Sequence, residues 1–202
     1  MIVVKKSLLK EFNKSFKPKL YIYFENEHEI NKAFNPAIHP RDSFGRFTDK
    51  GIMELTENER QQLLDYLEKE DYVEYNGFHV VKDKINDVLN RDYKTEIKAC
   101  EILVKQGFDV YLLSENYTRG SKADAFFKKD GKRDFIEFKD TVDKITTQYN
   151  RSIEQAPNCF ITVTGHYSKT QDRNLRETVK NNVNAKEVFL YVERTNTFLK
   201  IK

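Results

Sequence analysis

Three residues could carry chemistry: an aspartate and, thirteen positions later, a glutamate and a lysine separated by one residue. They are Asp124, Glu137 and Lys139. Side chains alternate between the two faces of a strand, so Glu137 and Lys139 share one face. The turn dipeptide Asp130-Gly131 lies between the two segments and predicts a hairpin that brings Asp124 to the Glu137–Lys139 end.

Two carboxylates that meet on one sheet face repel each other unless a cation lies between them. A hard divalent ion such as Mg²⁺ or Mn²⁺ binds through one or two carboxylates, completed by waters and substrate phosphate. Such an ion polarises a phosphate and lowers the pKa of a bound water. Lys139 could position or deprotonate that water, or Lys139 could stabilise the charge that develops on the phosphate. The pattern therefore predicts a metal site on Asp124 and Glu137.

An alternative without chemistry stays open on these three residues alone. Charged residues make up 33% of the chain, so an aspartate followed by Glu-x-Lys occurs often by chance. Most such groups are cross-strand ion pairs on a solvated sheet face.

A third carboxylate is predicted on the helix that precedes the strands. Glu96 lies three residues after Tyr93 and four before Cys100, which places it on the apolar stripe of that helix. A buried charge needs a partner, and a metal at the sheet edge would provide one. The alternative is a glutamate at the margin of the stripe whose carboxylate reaches solvent.

The elements that position these residues follow from hydrophobic periodicity and turn signals. Thr56 with Glu59 has the form of a capping box, and Asn76-Gly77 predicts a tight hairpin. Gly107 is typical of a helix C-terminus. We predict helices over 56–69, 84–106, 145–156 and 171–182, hairpins over 73–81 and 124–139, and strands over 20–24, 108–113, 159–163 (central), 188–192 and 197–201.

This order of elements predicts an α/β or α+β fold, a sheet with helices packed on its faces. We assign residues 84–202 to one domain and 1–83 to an accessory region, which contains a linker at 35–55 and the helix–hairpin element that follows it. That element has the outline of a helix and wing that could touch DNA, but packing against the sheet is the favoured role.

Composition sets broad limits on function. Thirty-five basic and 32 acidic residues leave a net charge of +3, too balanced to indicate nucleic-acid binding by itself. Few glycines and prolines exclude a collagen-like chain, and the apolar runs are too short to span a bilayer. Two distant cysteines favour a reducing compartment, so we expect a soluble protein of the cytoplasmic type.

The motif and its surroundings resemble the PD-(D/E)xK nuclease superfamily, and more narrowly the nuclease domains of contact-dependent growth-inhibition toxins and of phage minor head proteins. The resemblance covers about residues 89–202. It rests on a helix with Glu96 that ends in Lys-Gln-Gly-Phe-Asp-Val (105–110), on Lys-Ala-Asp-Ala (122–125), on Ile-Glu-Phe-Lys (136–139), and on Glu-Gln-Ala-Pro-Asn (154–158) before an apolar strand.

This resemblance implies a restriction-endonuclease-like fold, a mixed central sheet flanked by helices, and a Mg²⁺- or Mn²⁺-dependent phosphodiesterase. Asp124, Glu137, Lys139 and Glu96 would be catalytic, the three acids as metal ligands. It also implies that Thr141, Gln148 and Gln155 lie near the substrate. Alanine stands where the family often has proline before the aspartate, a position that varies in the superfamily.

The partner implied is a nucleic acid, either DNA or RNA such as tRNA. A basic cluster crowds the motif hairpin, and we expect it to lie beside the predicted metal site; its members are Arg119, Lys122, Lys128, Lys129, Lys132 and Arg133. This cluster favours a polyanion, and the alternative is a solvated basic face.

The run His-Pro-Arg-Asp-Ser-Phe-Gly-Arg-Phe (39–47) resembles a segment of phage structural proteins and suggests a phage or prophage origin, with a phage structural protein as partner; the alternative is a basic turn. The resemblance to toxin domains adds an immunity protein as an expected partner. Two rival functions stay open: an inactive nuclease domain that binds nucleic acid, and a virion-associated interaction module.

Overall fold

The computed structural model describes residues 51–89, 93–114 and 123–202, all of which belong to one compact unit. The predicted strand at 20–24 and the part of the linker before residue 51 lie outside this range. Residues 51–55 of the linker belong to the fold, because Ile52 and Leu55 are buried with the first helix.

The described residues form five α-helices and eight strands. The helices are α1 (Glu57–Leu67), α2 (Ile85–Leu89), α3 (Lys94–Lys105), α4 (Ile145–Ile153) and α5 (Lys169–Lys180); the strands are β1 (Tyr72–Tyr75), β2 (Phe78–Val81), β3 (Asp109–Leu112), β4 (Ala125–Lys129), β5 (Lys132–Thr141), β6 (Asn158–Val163), β7 (Glu187–Val192) and β8 (Thr197–Lys200).

Local sequence signals place several element ends where we predicted them. Thr56 caps α1 in a reciprocal capping box with Glu59. Both predicted tight turns have positive φ at each central residue: 50° and 85° at Asn76-Gly77, and 51° and 75° at Asp130-Gly131. These angles are those of the two-residue hairpin turn, which asparagine, aspartate and glycine tolerate best.

The helix predicted over 84–106 is two helices rather than one. Tyr93, just before α3, has φ −105° and ψ 55°, which is not helical. The hydrophobic periodicity hides this break because Val88 of α2 and Cys100 of α3 are buried in the same core cluster. The C-terminus is as predicted: Gly107 has φ 80°, and the Phe108 N–H donates to the Leu103 carbonyl at 3.1 Å.

The eight strands form one mixed sheet in chain order, from β1 at one edge to β8 at the other. The pairs β2–β3, β5–β6 and β6–β7 are parallel, and the other four are antiparallel. All six residues of β6 are buried, which confirms that this strand is central.

Helices cover both faces of the sheet. On one face, α3 packs on the alternate residues of β5 that include Ile136 and Phe138. On the other, α1 packs on Phe126 and Phe135, while α4 and α5 pack on β6 and β7. This confirms a mixed α/β fold with a helix-flanked sheet. None of the helices in the described ranges is long and apolar enough to cross a bilayer.

The helix–hairpin element is continuous with the rest of the fold. Strand β2 pairs with β3, with His79 opposite Tyr111 and Val80 opposite Leu112, so the hairpin forms one end of the sheet. The boundary that we placed between residues 83 and 84 therefore runs through a continuous sheet, not between two bodies. In the structure this element packs against the sheet and extends it, which is the role that we favoured over contact with DNA.

Candidate functional site

The hairpin of β4 and β5 brings Asp124 to the motif strand. The last pair of this antiparallel ladder is Ala125 with Ile136, so Asp124 lies one residue beyond it, beside Glu137. The Asp124 carboxylate accepts a hydrogen bond from the Phe138 N–H at 2.8 Å. The aspartate is thereby held against the backbone between the other two motif residues.

Glu137 and Lys139 form an ion pair at the edge of the core. The Glu137 side chain is buried, with 2% of the residue exposed, and its Oε1 accepts a hydrogen bond from the Lys139 ammonium. The same ammonium donates to Gln155 Oε1 at 3.2 Å. Lys139 is therefore held between Glu137 on its own strand and Gln155, which lies two residues beyond the end of α4.

The carboxyl groups of Asp124 and Glu137 are neighbours, because the hairpin register puts Asp124 beside Glu137 and each carboxyl group affects the pKa of the other. Burial, and then the charge of Asp124, raises the pKa of Glu137 to about 8, against the opposing effect of Lys139. Burial also raises the pKa of Asp124, while the Phe138 N–H opposes this. Two ionised carboxylates have only acceptors to offer each other, so the contact requires a shared proton or a cation.

Glu96 lies in the first turn of α3 and is half-buried. Burial raises the pKa of its carboxyl group, and the nearby charge of Asp124 raises it further, while Lys84 and Lys139 lower it. The structure therefore places Glu96 close enough to the motif to interact with it electrostatically, on the helix that the sequence analysis indicated.

The residues implied only by the resemblance have different outcomes. Gln155 contacts the site through Lys139. Thr141 instead closes a turn, because its Oγ1 accepts from the Lys144 N–H at 2.9 Å. Gln148 lies on α4, and within the described ranges its side chain makes no hydrogen bond to the motif. Arg119 and Lys122 lie outside the described residues.

The basic residues of the hairpin lie at the far end of its strands from the acids. Arg133 is four strand positions from Glu137, about 13 Å at 3.3 Å per residue. It pairs with Asp65 of α1 and with Glu68, the residue after α1. Lys129 donates to the Gln106 carbonyl at 2.7 Å. These residues hold the hairpin to its neighbours, so the expectation that they lie beside the acids is wrong.

Sequence analysis missed one residue of this region, Lys84. It is 6% exposed, donates to the Leu113 carbonyl at 3.0 Å, and interacts with the charges of Asp124 and Glu96. No local signal distinguishes it from Lys82, which is two positions earlier and exposed.

The residues at the site fit a divalent cation through two carboxylates. Glu137 Oε2 is buried and has no hydrogen-bond partner in the described structure, so it is an acceptor in need of a proton or an ion. Across the described residues, no three His, Cys, Asp or Glu side chains form a group that could hold a metal. Mg²⁺ often binds to proteins through two carboxylates, and water and phosphate oxygens complete its coordination.

No family model, curated protein or solved structure matches the chain.

Proposed function

We propose that this protein is a nuclease that hydrolyses phosphodiester bonds with Mg²⁺ or Mn²⁺, on a restriction-endonuclease-like fold. One observation carries the proposal: the Phe138 N–H holds half-buried Asp124 beside buried Glu137, and Lys139 binds Glu137. A buried carboxylate with an orphan oxygen, next to a second carboxylate, is costly for a protein that does not use it.

Each residue has a distinct role in this reaction. Asp124 and Glu137 would hold the divalent ion, which when bound polarises the phosphate and lowers the pKa of a coordinated water. Lys139 would orient the attacking water with its Nζ and stabilise the charge that develops on the phosphate. Gln155 limits the positions that the Lys139 ammonium adopts, and Glu96 would support the ion.

The proposed substrate is a nucleic acid, DNA or RNA including tRNA. Arg119 and Lys122 precede the motif in sequence and are proposed to bind its phosphates, as are Thr141 and Gln148. The same proposal includes a phage or toxin origin. It also includes an immunity protein or a phage structural protein as partner, and a location in the bacterial cytoplasm or the virion.

Cleavage assays test the proposal directly. Supercoiled plasmid, single-stranded DNA and bulk tRNA are incubated with the protein and Mg²⁺, Mn²⁺ or EDTA. We expect metal-dependent cleavage of at least one substrate, and its loss in Asp124→Ala and Lys139→Ala. Lys132→Ala is the matched control, because Lys132 is exposed at the hairpin tip.

Two results would overturn the proposal. One is cleavage that survives both substitutions in the motif. The other is the absence of cleavage of all three substrates by folded wild-type protein, which would favour an inactive binding domain or a virion-associated module.

A further inference from the structure

Lys84 is a buried lysine whose ammonium lies between the two segments that carry acids. It follows β2 and is 6% exposed. Its Nζ donates to the Leu113 carbonyl at 3.0 Å and lies 3.8 Å from the centroid of the Tyr93 ring. A lysine with so little exposure is uncommon, since burial of an ammonium group has a high desolvation cost.

The two contacts of Lys84, with Leu113 and with Tyr93, connect it to the segments that carry Asp124 and Glu96. The Leu113 N–H donates to the Asp124 carbonyl at 2.9 Å, so Lys84 binds the residue paired with Asp124. Tyr93 immediately precedes α3, whose first turn carries Glu96. The ammonium is therefore held next to both acid-bearing segments, consistent with the effect of its charge on Asp124 and Glu96.

The charges of the site determine how many divalent ions it can hold. With all groups ionised, the acids of the site that the structure describes (Asp124, Glu137 and Glu96) carry three negative charges, and its described lysines (Lys84 and Lys139) carry two positive ones. One divalent ion and one phosphodiester bring this total to zero. A second divalent ion would leave two uncompensated positive charges in a poorly solvated place, which is unfavourable.

We propose that Lys84 is an internal cation that takes the place of a second divalent ion, so that the site binds one ion per chain. The inference rests on the proposed function, because it concerns the metal of that reaction. Lys84 is a positioning residue: it acts on the acids and contacts neither the substrate nor the reacting atoms.

Direct measurement of Mn²⁺ binding tests this inference without any assay of activity. The full chain is titrated with Mn²⁺ at pH 8.5, and free Mn²⁺ is followed by electron paramagnetic resonance. We expect one ion per chain in the wild type and in Lys84→Arg, which keeps the charge. Lys84→Met, which keeps the length and removes the charge, is expected to bind a second ion or to bind the first at least about tenfold more tightly.

The matched control is Lys82→Met, which removes an exposed charge two residues away and is expected to bind Mn²⁺ as the wild type does. Thermal unfolding establishes that each variant is folded. If Lys84→Met does not fold, the wild-type stoichiometry still decides, because two ions per chain overturn the inference.

The outcomes separate this inference from the proposed function. Two ions in the wild type, or one ion of unchanged affinity in folded Lys84→Met, overturn the role of Lys84 and leave the nuclease proposal intact. No Mn²⁺ bound by the wild type would overturn both.

Discussion

The Asp124 carboxylate accepts a hydrogen bond from the Phe138 N–H at 2.8 Å. Phe138 separates Glu137 from Lys139, so this bond positions the aspartate against both of them through the backbone. Backbone N–H bonds to a carboxylate are among the stronger hydrogen bonds in proteins. The arrangement of the motif therefore depends on the strand register rather than on a bound ion.

The stability of the protein without metal should depend on pH through Glu137. Its pKa is about 8 in the folded chain against an ordinary value of 4.5, so the folded state binds more protons than the unfolded state between these values. The free energy of unfolding therefore falls as pH rises through this window. Glu137→Gln cannot ionise and should exceed the wild type in stability above pH 8, by on the order of a few kcal/mol.

Urea unfolding in EDTA at pH 4, 6 and 8.5 measures this difference. Glu154→Gln, an exposed acid beyond the end of α4, is the control and should follow the wild type throughout. Stability curves for Glu137→Gln and wild type that stay parallel from pH 4 to 8.5 would contradict the raised pKa.

Gln155 should affect turnover through Lys139 rather than through substrate affinity. Its Oε1 accepts from the Lys139 ammonium at 3.2 Å, and Gln155→Ala leaves that ammonium with Glu137 alone. We expect kcat to fall about tenfold with KM nearly unchanged, the size of effect that slight misplacement of a catalytic group produces. Asn150→Ala, on the exposed side of α4, is the control, and an equal loss in both variants would refute this role.

Thr141 should contribute to stability through the turn after β5. Thr141→Val removes the oxygen that accepts from the Lys144 N–H and is expected to lower the free energy of unfolding by about 1 kcal/mol. Thr141→Ser keeps the acceptor and should restore it. Urea unfolding measures both, and equal stability of Thr141→Val and the wild type would contradict this role in the turn. A loss of cleavage in Thr141→Val that exceeds the loss of folded protein would support the proposed contact of Thr141 with substrate.

Arg133 should hold the hairpin to α1 rather than bind phosphate. Its guanidinium pairs with Asp65 and Glu68 and is 27% exposed. Arg133→Met is expected to lower the free energy of unfolding by up to about 1 kcal/mol and to leave nucleic-acid affinity unchanged at low and high salt. Filter binding measures the affinity for nucleic acid, with the exposed variant Lys132→Met as control. If Arg133→Met alone forms a weaker and less salt-dependent complex with nucleic acid, Arg133 binds phosphate.

Much of the framework could be predicted because it depends on residues close in sequence. The capping box at Thr56 and the turns at Asn76 and Asp130 require particular residue types at particular backbone angles. Strand alternation likewise places Glu137 and Lys139 on one face whatever surrounds them. The sequence by itself therefore determined the two hairpins and the face on which the motif lies.

Other features were decided only by the tertiary structure, because they depend on segments far apart in the chain. Lys82 and Lys84 are the same residue type two positions apart, and only the packing of Tyr93 and Leu113 around one of them makes it a buried charge. The contact of Gln155 with the motif likewise depends on where α4 ends against the sheet. Burial and charge pairing follow from the whole fold, whereas turn angles and side-chain alternation follow from neighbouring residues.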